Sequence, residues 1–146
     1  MTIATTIAAL QAIHAAITGI GSAPTDMPSN LEQGQRPMVL VWPDEGNWRL
    51  QALDLQRQER VYVVRCYVQP VAQGLAGIDA GYDTCVTLLE SFGRAYLADT
   101  TLGGAVDHIE SITDMGVSGG SYELTWAQVP WWGFEYRIVV VEKSTD

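Results

Sequence analysis

Apolar and polar positions along the chain alternate with two different periods, and the switches between them mark the elements. Ile3, Ile7, Leu10, His14 and Ile17 recur at helical spacing with alanines filling most gaps, which predicts an amphipathic helix from about Thr5 to Thr18, ended by Gly19 and Gly21. From Ser22 to Pro37 three prolines and several polar residues make a loop. Met38 to Trp42 is a short apolar run stopped by Pro43. Asp44-Glu45-Gly46-Asn47 then turns into a second strand near Trp48 to Leu53.

Arg60 to Gln69 is the clearest strand. Val61, Val63, Arg65 and Tyr67 share one face, and Tyr62, Val64, Cys66 and Val68 the other. Two mostly apolar faces predict a strand inside a sheet, covered at least partly on each side. After Pro70 and a Gly-rich loop, the period returns to helical from about Ile78 to Ala98. Its expected buried stripe is Ile78, Tyr82, Cys85, Val86, Leu89, Phe92 and Tyr96. Gly81 and Gly93 interrupt this helix, each weakening it by about 1 kcal/mol relative to Ala, and suggest places where another backbone comes close.

Val106 to Thr113 alternates as a strand, and Tyr122, Leu124 and Trp126 share a face. After a break at Pro130, Trp132, Phe134, Tyr136, Ile138 and Val140 line one side of a long closing strand, with Trp131 on the other. The order is helix, two or three strands, helix, then two or three strands. It predicts one α+β domain over residues 1–146, a mostly antiparallel mixed sheet with two main helices packed on one face. No internal repeat interrupts it.

Composition narrows the function. At 146 residues with 47% hydrophobic and 17% charged content the chain can bury a core. A formal charge of −9 argues against a nucleic-acid groove, which needs a basic stripe, and suits a surface past which DNA slides without sticking. The N-terminal apolar stretch is broken by polar residues and lacks a basic leader, so neither a membrane span nor a secretion signal is expected. Cys66 and Cys85 lie on different elements without a C-x-x-C spacing and are expected as reduced, packed thiols.

Candidate chemistry is thin. His14, Cys66, Cys85 and His108 have no metal-ligand spacing; His14 is expected at the edge of the core and His108 facing solvent. Ser118 and Ser121 flank a Gly-Gly turn that is not a nucleophile elbow. The stretch Gln73 to Gly81, which follows a strand and opens a helix, fits no phosphate-binding pattern, and Asp79 and Asp83 would oppose a phosphate there; a flexible connection is the expected role. The reading is of a protein without catalytic residues, metal or cofactor.

Two features point to surfaces instead. Trp42, Trp48, Trp126, Trp131 and Trp132 are candidates for core, for interface anchors, or for a sugar-stacking platform. Charge is also divided: residues 70–135 carry nine acids against Arg94 alone, while residues 49–65 carry Arg49, Arg57, Arg60 and Arg65 against two acids. Either copies join head to tail, or these charges pair within one subunit. Candidate interface residues are Arg49, Arg57, Arg60, Trp131, Glu123 and Glu135.

The layout resembles the tail terminator (tail-completion) proteins of long-tailed bacteriophages. The likeness runs through the N-terminal helix, the loop APTDMPSN, the strand MVLVWP, the long strand RVYVVRCYVQP, the middle helix and the closing strand WWGFEYRIVVVEK. It lies in element order and texture over nearly the whole chain, and no functional residue is carried over from it. The resemblance implies a hexameric ring that caps the head-proximal end of the tail tube. Its partners would be further copies, the major tail tube protein and the head–tail connector or stopper, with DNA passing through the lumen. Such a protein resides in the virion tail and neck, and in the host cytoplasm during assembly. The alternatives are another neck or head-completion protein, or a small carbohydrate-binding module using the tryptophans.

Overall fold

The structure, a computed structural model, describes residues 3–26, 28, 36–44, 49–50, 57–70, 74–118, 124–126 and 129–143. Its elements are α1 (Ile3–Ala15), β1 (Met38–Pro43), β2 (Arg49–Leu50), β3 (Arg57–Pro70), α2 (Gly74–Ala98), a 3₁₀ turn (Leu102–Gly104), β4 (His108–Val117), β5 (Thr125–Trp126) and β6 (Val129–Lys143). The long strands are ordered β1-β3-β6-β4, every pair antiparallel. β2 continues the β1 side of β3, and β5 forms a short hairpin on the start of β6. The α+β expectation holds, with both helices on one face.

β3 is internal, as its two apolar faces required. Tyr62, Val64, Cys66 and Val68 look toward the helices and pack with Leu10 of α1, with Cys85, Leu88, Phe92 and Tyr96 of α2, and with Phe134, Tyr136, Ile138 and Val140 of β6. On the opposite face Met38, Leu40, Tyr67, Leu124 and Trp131 form a second, smaller core against which Trp42 and Trp126 pack. Folding the β5 hairpin over that end of the sheet is what covers it. Burial of each such side chain contributes on the order of 2 kcal/mol.

Both helices depart from their expected stripes. In α1 the buried residues are Thr6, Leu10, Gln11 and His14, while Ile3, Ile7 and Ile17 are only partly covered. Gln11 explains the rotation: its Nε2 donates to the Pro24 carbonyl at 2.6 Å and to the Val39 carbonyl at 2.8 Å, tying α1 to the outer edge of β1. In α2, Leu88 belongs to the core, whereas Tyr82 and Val86 are 50% and 38% exposed.

The glycines of α2 meet side chains, not a second backbone. A Cβ on Gly81 would lie 2.8 Å from Gln69 Nε2 and 3.0 Å from Trp132 Cδ1, and one on Gly93 would lie 3.4 Å from the Tyr136 hydroxyl. β6 runs unbroken through Pro130, because the Trp131 amide still reaches the Leu124 carbonyl at 2.8 Å. The expected second strand is described only at Arg49–Leu50; the rest of it lies outside the described residues.

Candidate functional site

Among the described residues, a set of charged and aromatic groups gathers on the sheet face away from the helices. Arg65 on β3 is the register partner of Glu135 on β6. Its Nε donates to Glu135 Oε1 at 2.6 Å. Arg137 Nε donates to Glu135 Oε2 at 3.1 Å, and Arg137 Nη1 donates to Asp44 Oδ2 at 3.2 Å. Period-two alternation along β6 is what places Glu135 and Arg137 on the same side. The short Arg65–Glu135 bond is of the stronger, charge-assisted kind, and the longer bonds of Arg137 link Asp44, just after β1, to the middle of the sheet.

Aromatic rings continue this face. The Tyr67 ring meets Trp126 at 5.7 Å and 72° and Trp131 at 6.1 Å and 88°, both edge to face. The Arg36 guanidinium lies 4.7 Å above Trp131, and that of Arg65 lies 5.2 Å from the Trp42 ring. Ser118 Oγ donates to the Trp131 carbonyl at 2.5 Å. Trp132 lies on the other face, edge-on to Tyr82 at 6.3 Å. These rings are used in perpendicular contacts with one another and under guanidinium groups, an arrangement of packing and not of parallel open faces.

A second polar cluster sits beneath the start of α1. Thr6 Oγ1 and the Tyr62 hydroxyl each donate to Glu142 Oε1 at 3.0 Å, and Arg60 Nη1 lies 3.7 Å from Glu142 Oε2. Burial, with the Glu142 charge, pushes the Tyr62 hydroxyl up to about 12. The cluster joins α1, β3 and β6 where the sheet ends.

Neither a protein-family model nor a curated protein matches this chain.

Of the six candidate interface residues, three have their side chains inside the subunit. Arg60, Trp131 and Glu135 are 5%, 5% and 3% exposed. Arg60 faces Glu142, Trp131 packs in the smaller core, and Glu135 receives both arginines, so all three side chains are engaged within the subunit. Arg49 and Arg57 are placed by their backbones on β2 and at the start of β3, and their side chains lie outside the description. Glu123 lies outside the described residues. For Arg60 and Arg65, pairing within one subunit is the arrangement that occurs. The opposite burial of Trp131 and Trp132 was legible from alternation; the Arg65–Glu135–Arg137–Asp44 chain was not, because it joins residues far apart in sequence.

Reactive groups are few in this arrangement. An open groove of about 280 Å³ beyond the end of α1, beside α2, is lined by Thr18, Gly19, Asp83, Thr84, Thr87 and Leu88, and Asp83 is its one ionisable group among the described residues. Among the described residues no three His, Cys, Asp or Glu side chains gather as a metal site, and no helix is long and apolar enough to cross a membrane. Cys66 and Cys85 are free and buried, and burial drives the Cys85 thiol up to about 12 and the Cys66 thiol well above its ordinary value. Half-buried His108 is raised by its 2.8 Å contact to Glu110, with Asp107 at 3.3 Å on the other ring nitrogen.

Proposed function

We propose that this chain is a structural virion protein that caps the head-proximal end of a phage tail tube as a ring and joins the tail to the head–tail connector. The observation that carries this reading is the element order. α1, the short β1 ending in Trp42-Pro43, the long β3, the middle helix α2 and the aromatic closing strand β6 follow one another in the order on which the tail-terminator resemblance rests. They are organised as one sheet with both helices on a single face. The net charge of −9 is compatible with a lumen through which DNA slides without adhering.

Its mechanism is docking: shape and polarity of outer surfaces stop tube growth and present a seat for the connector, with no bond made or broken. A reconstruction of the neck of the intact particle tests it, with ring density of about sixfold symmetry at the tube end as the expected result. Tails of normal length assembled without the gene product would refute it. Cross-links to portal proteins in place of tube subunits would move the chain to another position in the neck.

A further inference from the structure

α2 has two apolar sides: one faces the sheet, and the other is only partly covered, by contacts of Leu89 with the core and of Tyr82 with Trp132. Cys85, Leu88, Phe92 and Tyr96 face the sheet. Tyr82, Val86, Leu89, Gly93 and Leu97 recur at the three- and four-residue spacing of a helix seam on an adjacent side, where Tyr82, Val86 and Leu97 are 50%, 38% and 75% exposed. The seam is about 23 Å long at the rise of an α-helix. Leu97, three-quarters exposed, and Tyr82, half exposed, stand at its two ends with exposed Val86 between them.

The charges beside the strip say what fits it. Asp83, Glu90 and Arg94 are exposed along one of its sides, and Arg94 has only a loose 3.9 Å contact with Glu90 on its own helix. When two α2 helices are laid antiparallel about a two-fold axis, that side of each helix falls on the same side of the pair. Tyr82 then meets the partner's Leu97, and Val86 lies at the height of the partner's Gly93. Arg94 lies at nearly the height of the partner's Asp83, between it and Glu90 of its own helix. The match is reciprocal, as a two-fold contact requires.

We propose that the exposed side of α2 is a self-complementary docking surface for a second copy of this chain. The contact is small beside a standard interface, so it forms a transient dimer of micromolar or weaker affinity. Because a two-fold contact closes on itself, it is distinct from the head-to-tail contact a ring uses, and it stands independently of the tail reading. The two Glu90 side chains approach near the axis and weaken it.

Sedimentation velocity on the purified full chain over a concentration series tests the proposal. Dimerisation is expected, with Leu97→Glu and Asp83→Arg each weakening it about tenfold and Glu90→Gln tightening it about threefold. The charge swap Asp83→Arg with Arg94→Asp is expected to recover most of the affinity that Asp83→Arg loses. Glu90→Cys is expected to form a dimer disulfide under mild oxidation, and Thr5→Cys, exposed on α1, to form none. All these sites are exposed, so the variants keep the fold, which circular dichroism verifies. A chain monomeric up to millimolar concentration, an association unmoved by Leu97→Glu, or a Glu90→Cys chain that does not cross-link would each overturn it.

Discussion

His14 on α1 and Tyr96 on α2 are joined by a 2.6 Å hydrogen bond in the middle of the helix layer, both fully buried. The direction of that bond follows from Gln11. Its Nε2 donates to two carbonyls, so its Oε1 accepts from His14 Nδ1 at 2.8 Å, and His14 Nε2 is left to accept from the Tyr96 hydroxyl. The chain of bonds runs from α2 through α1 to the edge of β1, with His14 also stacked on Phe92 at 4.9 Å. A neutral imidazole is what this arrangement needs.

Burial lowers the His14 value to about 3 from an ordinary 6.5. The unfolded chain therefore takes up a proton over this interval that the folded chain refuses, and acid favours unfolding. The stability tied to His14 is fully present above pH 6.5 and is lost as pH falls toward 3. The slope from this group approaches about 1.4 kcal/mol per pH unit. Urea denaturation at a series of pH values from 7 to 4 is expected to show a steeper loss for the native chain than for His14→Gln. Parallel curves would remove His14 as the cause.

Gly133 is required by contact. A Cβ there would lie 2.0 Å from the Cys66 carbonyl oxygen and 2.6 Å from Leu124 Cδ2. The first neighbour is backbone in the central strand and cannot swing aside. Gly133→Ala is expected to destabilise by about 3 kcal/mol, as over-packing of a rigid core does. Gly104 supplies the comparison: its φ is +92° but nothing lies within 4 Å of a Cβ, so Gly104→Ala is expected to cost only about 1 kcal/mol in backbone strain. Thermal denaturation of the two variants checks the order.

Sheet and layers were readable in the sequence because they rest on local periods. The alternation from Val61 to Val68 placed β3 between neighbours, and that from Trp132 to Val140 placed the helix-facing side of β6. The helix stripes misled because hydrophobicity alone chose them. Thr6 and Gln11 are buried because their partners, Glu142 and the carbonyls of Pro24 and Val39, arrive from elsewhere in the chain. Tyr82 and Val86 carry the apolar signal of core residues yet remain at the surface, which periodicity cannot distinguish from burial. Two of the interface candidates went the opposite way: Arg60 and Glu135 look like surface charges by type, and only the register of β3 with β6 and the pairing it allows put their side chains inside.

Arg65 and Arg137 both depend on Glu135. Replacing Glu135 with Gln keeps its shape but removes the charge that two guanidinium groups share. The Arg65 side chain is only 29% exposed and lies beside the Trp42 ring, so it cannot fully recover its hydration. A loss of about 2 kcal/mol is expected, less than for a fully buried pair because Arg137 is nearly half open to water. A double-mutant cycle with Arg65→Met measures the share that belongs to the pair. A Glu135→Gln chain as stable as the native one would mean the cluster contributes nothing to the fold.

The thiols give the last expectation. Cys66 lies on β3 and Cys85 on α2, both inside the main core. The nucleophile in thiol chemistry is the thiolate, and with Cys85 held up to about 12 and Cys66 well above its ordinary value, almost none exists near neutral pH. A disulfide-exchange reagent at pH 8 is expected to modify neither cysteine in the folded chain. Both should react within minutes once denaturant unfolds it, because each then returns to an ordinary value near 8.5. The rate in the native state therefore reads the opening of the core between β3 and α2, and it should rise in Gly133→Ala, which disturbs the Cys66 carbonyl directly. Rapid labelling of the untreated native chain would show that α2 does not stay seated on the sheet.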